Sequence, residues 1–269
     1  MKKKIIILII LGCLNITAKA QFGGGDGTES SPYEIYTKAH LEELADSVNA
    51  GNSYAGKFFK VMNDINEPVT KSIGGYDVSI YGYRSFGGNF NGNNYKINLN
   101  IKNNSGPVGL FSSIKKATIT NIITTGSIHC QSSEVGGIVG NADSSIILHS
   151  INFAKVKGEG SAVAGIAGEI LNSCSVSFCQ NLGSIEGNFC VGGIVGHAGL
   201  NPYNGTNGNT VSYSINAGYI NGKMGGISGI VGHLGNWQDE ANTIVINCIN
   251  VGVVEGPPQR VSGIANIPE

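Results

Sequence analysis

The chain has 269 residues, with 41 Gly, 30 Asn and only 13% charged residues against a globular norm of about 25%. Gly and Asn tolerate positive φ and are poor helix-interior residues, so this composition excludes a helical bundle. A hydrophobic content of 41% excludes general disorder, and a formal charge of −1 gives nucleic acid no basic surface to bind.

Lys2, Lys3 and Lys4 precede the apolar run Ile5 to Leu11, and Ala18-Lys19-Ala20 offers a small-residue site before Gln21. That order predicts a signal peptide over 1–20 with cleavage after Ala20, too short for a transmembrane anchor. A lipoprotein box at Ile10-Leu11-Gly12-Cys13 ranks second, because Leu11 is less favoured there. Without residues 1–20 the chain holds 13 basic and 18 acidic residues.

Residues 21–107 read as an N-terminal cap and the first, irregular coils. Gly23 to Gly27 is a flexible leader. Leu41, Leu44, Ala45 and Val48 fall on one helical face, with Thr37 as N-cap and Gly51 just past the end. A short helix there would cover the open end of a stack. Phe58 to Ile65 and Tyr95 to Ile101 read as early strands.

From 108 onward the chain repeats. Gly109, Gly137, Gly165 and Gly193 are each 28 residues apart, Gly229 follows after 36 and Gly263 after 34. Around them stand Gly109-Leu110-Phe111, Gly136-Gly137-Ile138-Val139-Gly140, Ala164-Gly165-Ile166-Ala167-Gly168, Gly192-Gly193-Ile194-Val195-Gly196 and Ser228-Gly229-Ile230-Val231-Gly232. Ser262-Gly263-Ile264-Ala265 opens an incomplete sixth unit. Later in each unit, Asn152, Asn181, Asn216 and Asn250 lead short segments of period two, and Thr124 leads the degenerate first one. Units of this size cannot bury their apolar residues alone and must stack. Stacking predicts an apolar column Ile128, Val156, Ile185, Ile220, Val254 and an Asn column whose amides hydrogen-bond from unit to unit. Ile138 and Val139 are adjacent and both apolar, which places a corner there rather than a strand.

The Gly-Leu-Phe-Ser and Gly-Gly-Ile-Val-Gly runs, each followed by Asn-x-Gly-x-Val-x-Gly, resemble GLUG-motif repeats. The upstream Ser31-Pro32-Tyr33-Glu34-Ile35, Leu41 to Asn49, Phe59 to Ile65 and Phe90-Asn91-Gly92-Asn93 resemble the usual lead-in to them. The resemblance implies an all-β fold, a right-handed parallel β-helix (solenoid), in exported bacterial proteins that are often surface-displayed or adhesin-like. Ser112 departs from it, standing where the first motif should end in Gly.

Candidate chemistry is sparse. After Ala20 five cysteines remain, and their odd number and uneven spacing argue against a disulfide framework. Cys179 and Cys248 share a column with Ser150 and Ser214 but lie two units apart, beyond bridging distance. Bridges from Cys174 to Cys179 or Cys190 stay open. His197 and His233 each follow a Val-Gly pair, so adjacent units stack them. A metal would need a carboxylate such as Asp239 or Glu240 to join them. No zinc motif occurs, and exposed loop-edge histidines are the expectation. Glycoside hydrolysis needs two carboxylates facing one cleft, and here Glu134, Asp143, Glu159 and Glu169 occur singly. Glu186 and Glu255 share a column, but Asn221 lies between them, as in a solvated ladder. No catalytic residue, cofactor or metal is assigned.

The longer fourth and fifth units carry insertions at Leu200 to Asn209 and Gly235 to Asn242, which would emerge on one face. Tyr203, Asn204, Asn207, Trp237, Gln238 and Asp239 there form the candidate ligand-binding patch, set against a Trp237 that folds back as a lid. The expected function is non-enzymatic adhesion or recognition of a surface glycan or protein, by a secreted or cell-surface chain. An assembly subunit that self-associates end to end through its C-terminal coil, or a degenerate polysaccharide-active enzyme, is the alternative.

Overall fold

The structure, a computed structural model, describes residues 22–103, 105–199, 208–235 and 243–265. Among these the chain is mostly short strands with one α-helix. Three sheets are wholly parallel, and each is built by successive repeats donating one strand after another.

The first sheet runs in chain order through Tyr33–Ile35, Phe58–Val61, Asn89–Asn91, Thr118–Thr120, Ile146–Leu148, Ser175–Ser177, Thr210–Ser212 and Ile244–Ile246. Its middle positions, Phe59, Phe90, Ile119, Ile147, Val176 and Val211, lie in register and are buried. Flanking residues face outward, as period-two strands require. The second sheet carries the predicted apolar column: Ile128, Val156, Ile185, Ile220 and Val254 pair in sequence, and Ile101 extends it upstream. Lys96–Asn103 pairs with Ile123–Cys130 over its whole length, so the stacking passes position 107 without a break. The third sheet is Phe111–Lys115, Val139–Asp143, Ala167–Leu171, Val195–Gly199 and Val231–Leu234.

The Asn column forms the amide ladder. Asn152 Nδ2 donates to Asn181 Oδ1 at 2.9 Å, Asn181 to Asn216 at 2.8 Å and Asn216 to Asn250 at 2.8 Å. Thr124 tops it by donating its hydroxyl to Asn152 Oδ1 at 2.9 Å. Each second amide hydrogen goes to the carbonyl two residues on, as in Asn181 to Gly183 at 3.2 Å. The buried amides therefore spend their hydrogen-bonding capacity inside the stack.

That ladder explains the repeat glycine. Val135–Gly136 ends in the second sheet and Val139 opens the third, so Gly137-Ile138 is the corner. A Cβ on Gly137 would stand 2.4 Å from Asn152 Oδ1 and 2.2 Å from the Gly165 carbonyl oxygen. Corner and ladder press on each other across the interior, so the two motifs of each repeat are one packing unit. Ile138 and Val139 are both fully buried, one at the turn and one in the strand.

The helix spans Lys38–Asn49, with the Thr37 hydroxyl accepting from the His40 amide at 3.3 Å. Gly51 follows at φ +107°, a conformation that suits glycine at a helix end. Leu41, Leu44, Ala45 and Val48 are buried in the core with Ile35, Val61, Ile65 and Val69. Lys38–Glu67 (3.3 Å) and Lys71–Asp46 (2.8 Å) strap its outer side to the following strand region. No helix among the described residues is long and apolar enough to cross a membrane.

Candidate functional site

The candidate residues Tyr203, Asn204, Asn207, Trp237, Gln238 and Asp239 lie outside the described residues, as do Cys13 and the signal segment. Only the roots of the two insertions are described. Both leave the third sheet and rejoin the first, at Thr210 and Ile244 respectively. Buried Asn209 closes the first root, donating to the Gly199 carbonyl at 2.8 Å and accepting from the Cys174 amide at 3.0 Å. In the second, the Gly235 amide reaches the Ala198 carbonyl at 3.0 Å, so the two roots sit on neighbouring repeats.

Beside these roots the third sheet gathers the strongest polar cluster. Its positions Ser113, Asn141, Glu169, His197 and His233 stand in register on five successive strands. Glu134 joins from the corner that precedes Val135, held at φ +63°. Asn141 Nδ2 lies 3.0 Å from Glu134 Oε2 and 2.9 Å from Glu169 Oε2, so one buried amide bridges both carboxylates. Glu169 Oε1 is 2.8 Å from His197 Nδ1, and His197 Nε2 is 2.9 Å from the Gly235 carbonyl. The His233 ring follows, 5.4 Å away by centroids. Tyr83, on the antiparallel hairpin Gly75–Asp77/Gly82–Arg84, brings its phenol 3.4 Å from Glu134 Oε2.

Two expectations are corrected here. The histidines are not exposed loop-edge residues: His233 is 7% exposed and the His197 side chain 19%. Nor do the acids stand singly, since Glu134 and Glu169 converge on Asn141. Stacking supplies the reason, because positions 35 apart in sequence become neighbours when one repeat is 28. The signal was readable in the residue after each motif, which runs Asn141, Glu169, His197, His233. Only its last two members stand out as a pair of like residues.

Burial pushes the Glu134 carboxyl up to about 7, with the Glu169 charge adding to the effect. Burial alone would lower His197, yet its hydrogen bond to Glu169 and that charge raise it overall. With acceptors at both ring nitrogens, His197 satisfies them only as the imidazolium. His233 is lowered, by burial and by the neighbouring His197 charge. Burial and the Glu134 charge raise the Tyr83 phenol. The cluster is thus a chain of groups answering one another: Glu134 with its raised carboxyl, the Asn141 amide, Glu169 and the His197 ring. Among the described residues, no group of three or more His, Cys, Asp or Glu is placed to hold a metal.

The cysteines are free thiols: Cys130, Cys174 and Cys179 are buried, Cys190 and Cys248 partly so. Burial pushes Cys174 up to about 11 and Cys179 to about 12, far from reactive thiolates. Lys157, Glu186, Asn221 and Glu255 form one outward row, and Glu186 is held below its ordinary value: Lys157 and Lys223, 3.2 and 3.4 Å away, outweigh the opposing effect of burial.

A second feature lies on the later repeats. His149, Phe178 and Tyr213 occupy equivalent corners, all at φ near +50°, and stack ring on ring at 5.0 Å. Next to them Phe153, Leu182 and Val251 are 49%, 41% and 70% exposed, with Ile215 and Ile249 alongside. Stacked rings spend their faces on one another and offer only edges, so this strip reads as an apolar surface.

No family model matches the chain. A protein of Evansella cellulosilytica named "Putative Gly-rich membrane protein" is 29% identical over 147 residues, which is 51% of this chain but only 16% of that protein's length. A crystal structure titled as a "putative immunoglobulin A1 protease" from Bacteroides ovatus superposes with a TM-score of 0.56 at 17% identity. It covers 92% of this chain and 86% of its own, a likeness of fold and not of activity.

Proposed function

We propose that the chain is an exported, right-handed parallel β-helix of the GLUG-motif kind that acts without catalysis, in adhesion or recognition of a glycan or protein at the cell surface. The observation that carries this reading is the set of exposed apolar residues Phe153, Leu182, Val251, Ile215 and Ile249 on successive, in-register repeats. The parallel register of successive repeats supports the solenoid, and the short N-terminal apolar run supports export. Surface display of Leu182→Glu with Phe153→Glu tests it by cell-binding and glycan-array signal. Recognition through the strip predicts at least a tenfold loss with unchanged melting, and retained binding overturns it.

Enzymatic cleavage of polysaccharide is a second reading, favoured by Glu134 and Glu169 on a common amide, one carboxyl raised to about 7. Against it, both His197 nitrogens and both carboxylates already hold protein partners. Hydrolysis of polysaccharide abolished by Glu169→Gln would favour it. Docking through the C-terminal repeat is a third reading. There Val245, Cys248, Val254 and Val261 are half-buried where Val211, Ser214, Ile220 and Ile227 are fully buried one repeat earlier. Light scattering that finds only monomer would remove it.

A further inference from the structure

A groove of about 490 Å³ crosses the outer face of the first sheet near its N-terminal end. Its floor is two outward rows in register: Phe58, Asn89 and Thr118 in one, Lys60, Asn91 and Thr120 in the other. Strand spacing sets neighbours within a row about 4.8 Å apart and the rows about 6.7 Å apart. The segment with Glu29, Ser30 and Pro32 forms a wall.

Three features separate this floor from the rest of that face. First, three of its polar side chains are unspent: Asn89, Thr118 and Thr120 have no side-chain hydrogen bond to another described residue, whereas Asn91 Oδ1 accepts from the Asn93 amide and from Asn121 Nδ2. The same rows farther along are self-satisfied, with Ser177 Oγ 3.3 Å from Ser175 and 2.8 Å from Ser212. Second, Phe58 meets no other ring, whereas Phe59 beside it packs against Phe22, Tyr33, Tyr54, Phe86 and Phe90. A lone phenyl lining an open groove has a face to give. Third, the lining carries one base, Lys60, and one acid, Glu29, which form no ion pair with each other and leave no excess of either sign. Backbone groups add nothing, since the Asn89 and Thr118 amides already donate to Lys57 and Gly88.

An apolar ring beside unspent amides and hydroxyls at sugar-sized spacing, without net charge, is the chemistry that takes an uncharged saccharide. We propose that this groove binds a neutral oligosaccharide, with a pyranose on Phe58 and its hydroxyls on Asn89, Thr118 and Thr120. The proposal rests on the recognition reading and names a ligand class and a place for it, apart from the C-terminal strip.

The test is isothermal titration with cellohexaose, xylohexaose, mannohexaose and chitohexaose, and with hexagalacturonate as an acidic counterpart. At least one neutral hexasaccharide is expected to bind, and hexagalacturonate at least tenfold more weakly. Phe58→Ala should weaken the neutral ligand tenfold or more. Thr118→Val with Thr120→Val, which keeps side-chain shape, should weaken it about fivefold at unchanged melting temperature. No neutral binding, a preference for the acidic sugar, or neutral binding that both variants retain would each overturn the groove. Should the sugars fail while Leu182→Glu with Phe153→Glu still abolishes cell binding, recognition stands and the groove alone falls.

Discussion

The two ends of the stack reach a buried interior by different means. In the first repeats the interior is aromatic: Phe59, Phe86, Phe90 and Phe111 meet at 5.2 to 6.5 Å under a covering helix. In the later repeats it is aliphatic, with Val211, Ile220, Ile227, Ile230 and Val231, and the Asn ladder beside it. Large rings each fill whatever space the chain leaves. Small residues fill a repeat only if every turn brings the same atoms to the same place. Regularity in the later half is therefore set by the glycine corner and the Asn column, and irregularity in the first half is absorbed by rings.

Breaking the aromatic end should have the largest effect. Phe90→Ala, in the fully buried ring cluster, is expected to cost about 3–5 kcal/mol in urea unfolding. A cost near that of a surface change would mean the rings do not bear the packing. At the regular end, Gly165→Ala drives a methyl to 2.3 Å from Asn181 Oδ1 and 2.5 Å from the Gly193 carbonyl. It should cost about 1–3 kcal/mol or more by overpacking. The equivalent Gly263→Ala meets nothing within 4 Å and should leave thermal melting unchanged. Equal melting of these two variants would separate the glycine repeat from the Asn ladder. Asn181→Leu leaves the buried Asn152 and Asn216 amides short of a partner, for about 1–3 kcal/mol.

The polar cluster adds a pH dependence. Glu134 titrates at about 7 in the fold against an ordinary 4.5, so stability present below pH 4.5 is lost as pH rises towards 7. His197 is raised above 6.5, so its share is present below that pH and is lost as pH rises past its folded value. His233 acts the other way: its lowered value removes stability as pH falls below 6.5. Glu134→Gln should remove the fall between pH 4.5 and 7 in a series of denaturation curves, and an unaltered series would place that acid in water.

Sequence alone determined the repeat length, a corner within the Gly-Ile-Val segment, the apolar column from Ile128 to Val254 and the helix with its Thr37 cap, because each follows from periodicity or local backbone preference, while the structure set Val139 in the strand after that corner. It also ordered the Asn amides, since identical polar residues at a constant interval must meet when repeats stack. Only the tertiary structure decided why the repeat glycine is required at Gly137, Gly165, Gly193 and Gly229, since a Cβ there would strike an Asn side chain 15 to 23 positions on. It alone brought Glu134 to Glu169 and turned His197 inward, since unlike residues in one column carry no visible period and burial depends on the chain that covers them. The groove on the first sheet was equally hidden, because an unspent hydroxyl and a bonded one are the same letter in a sequence.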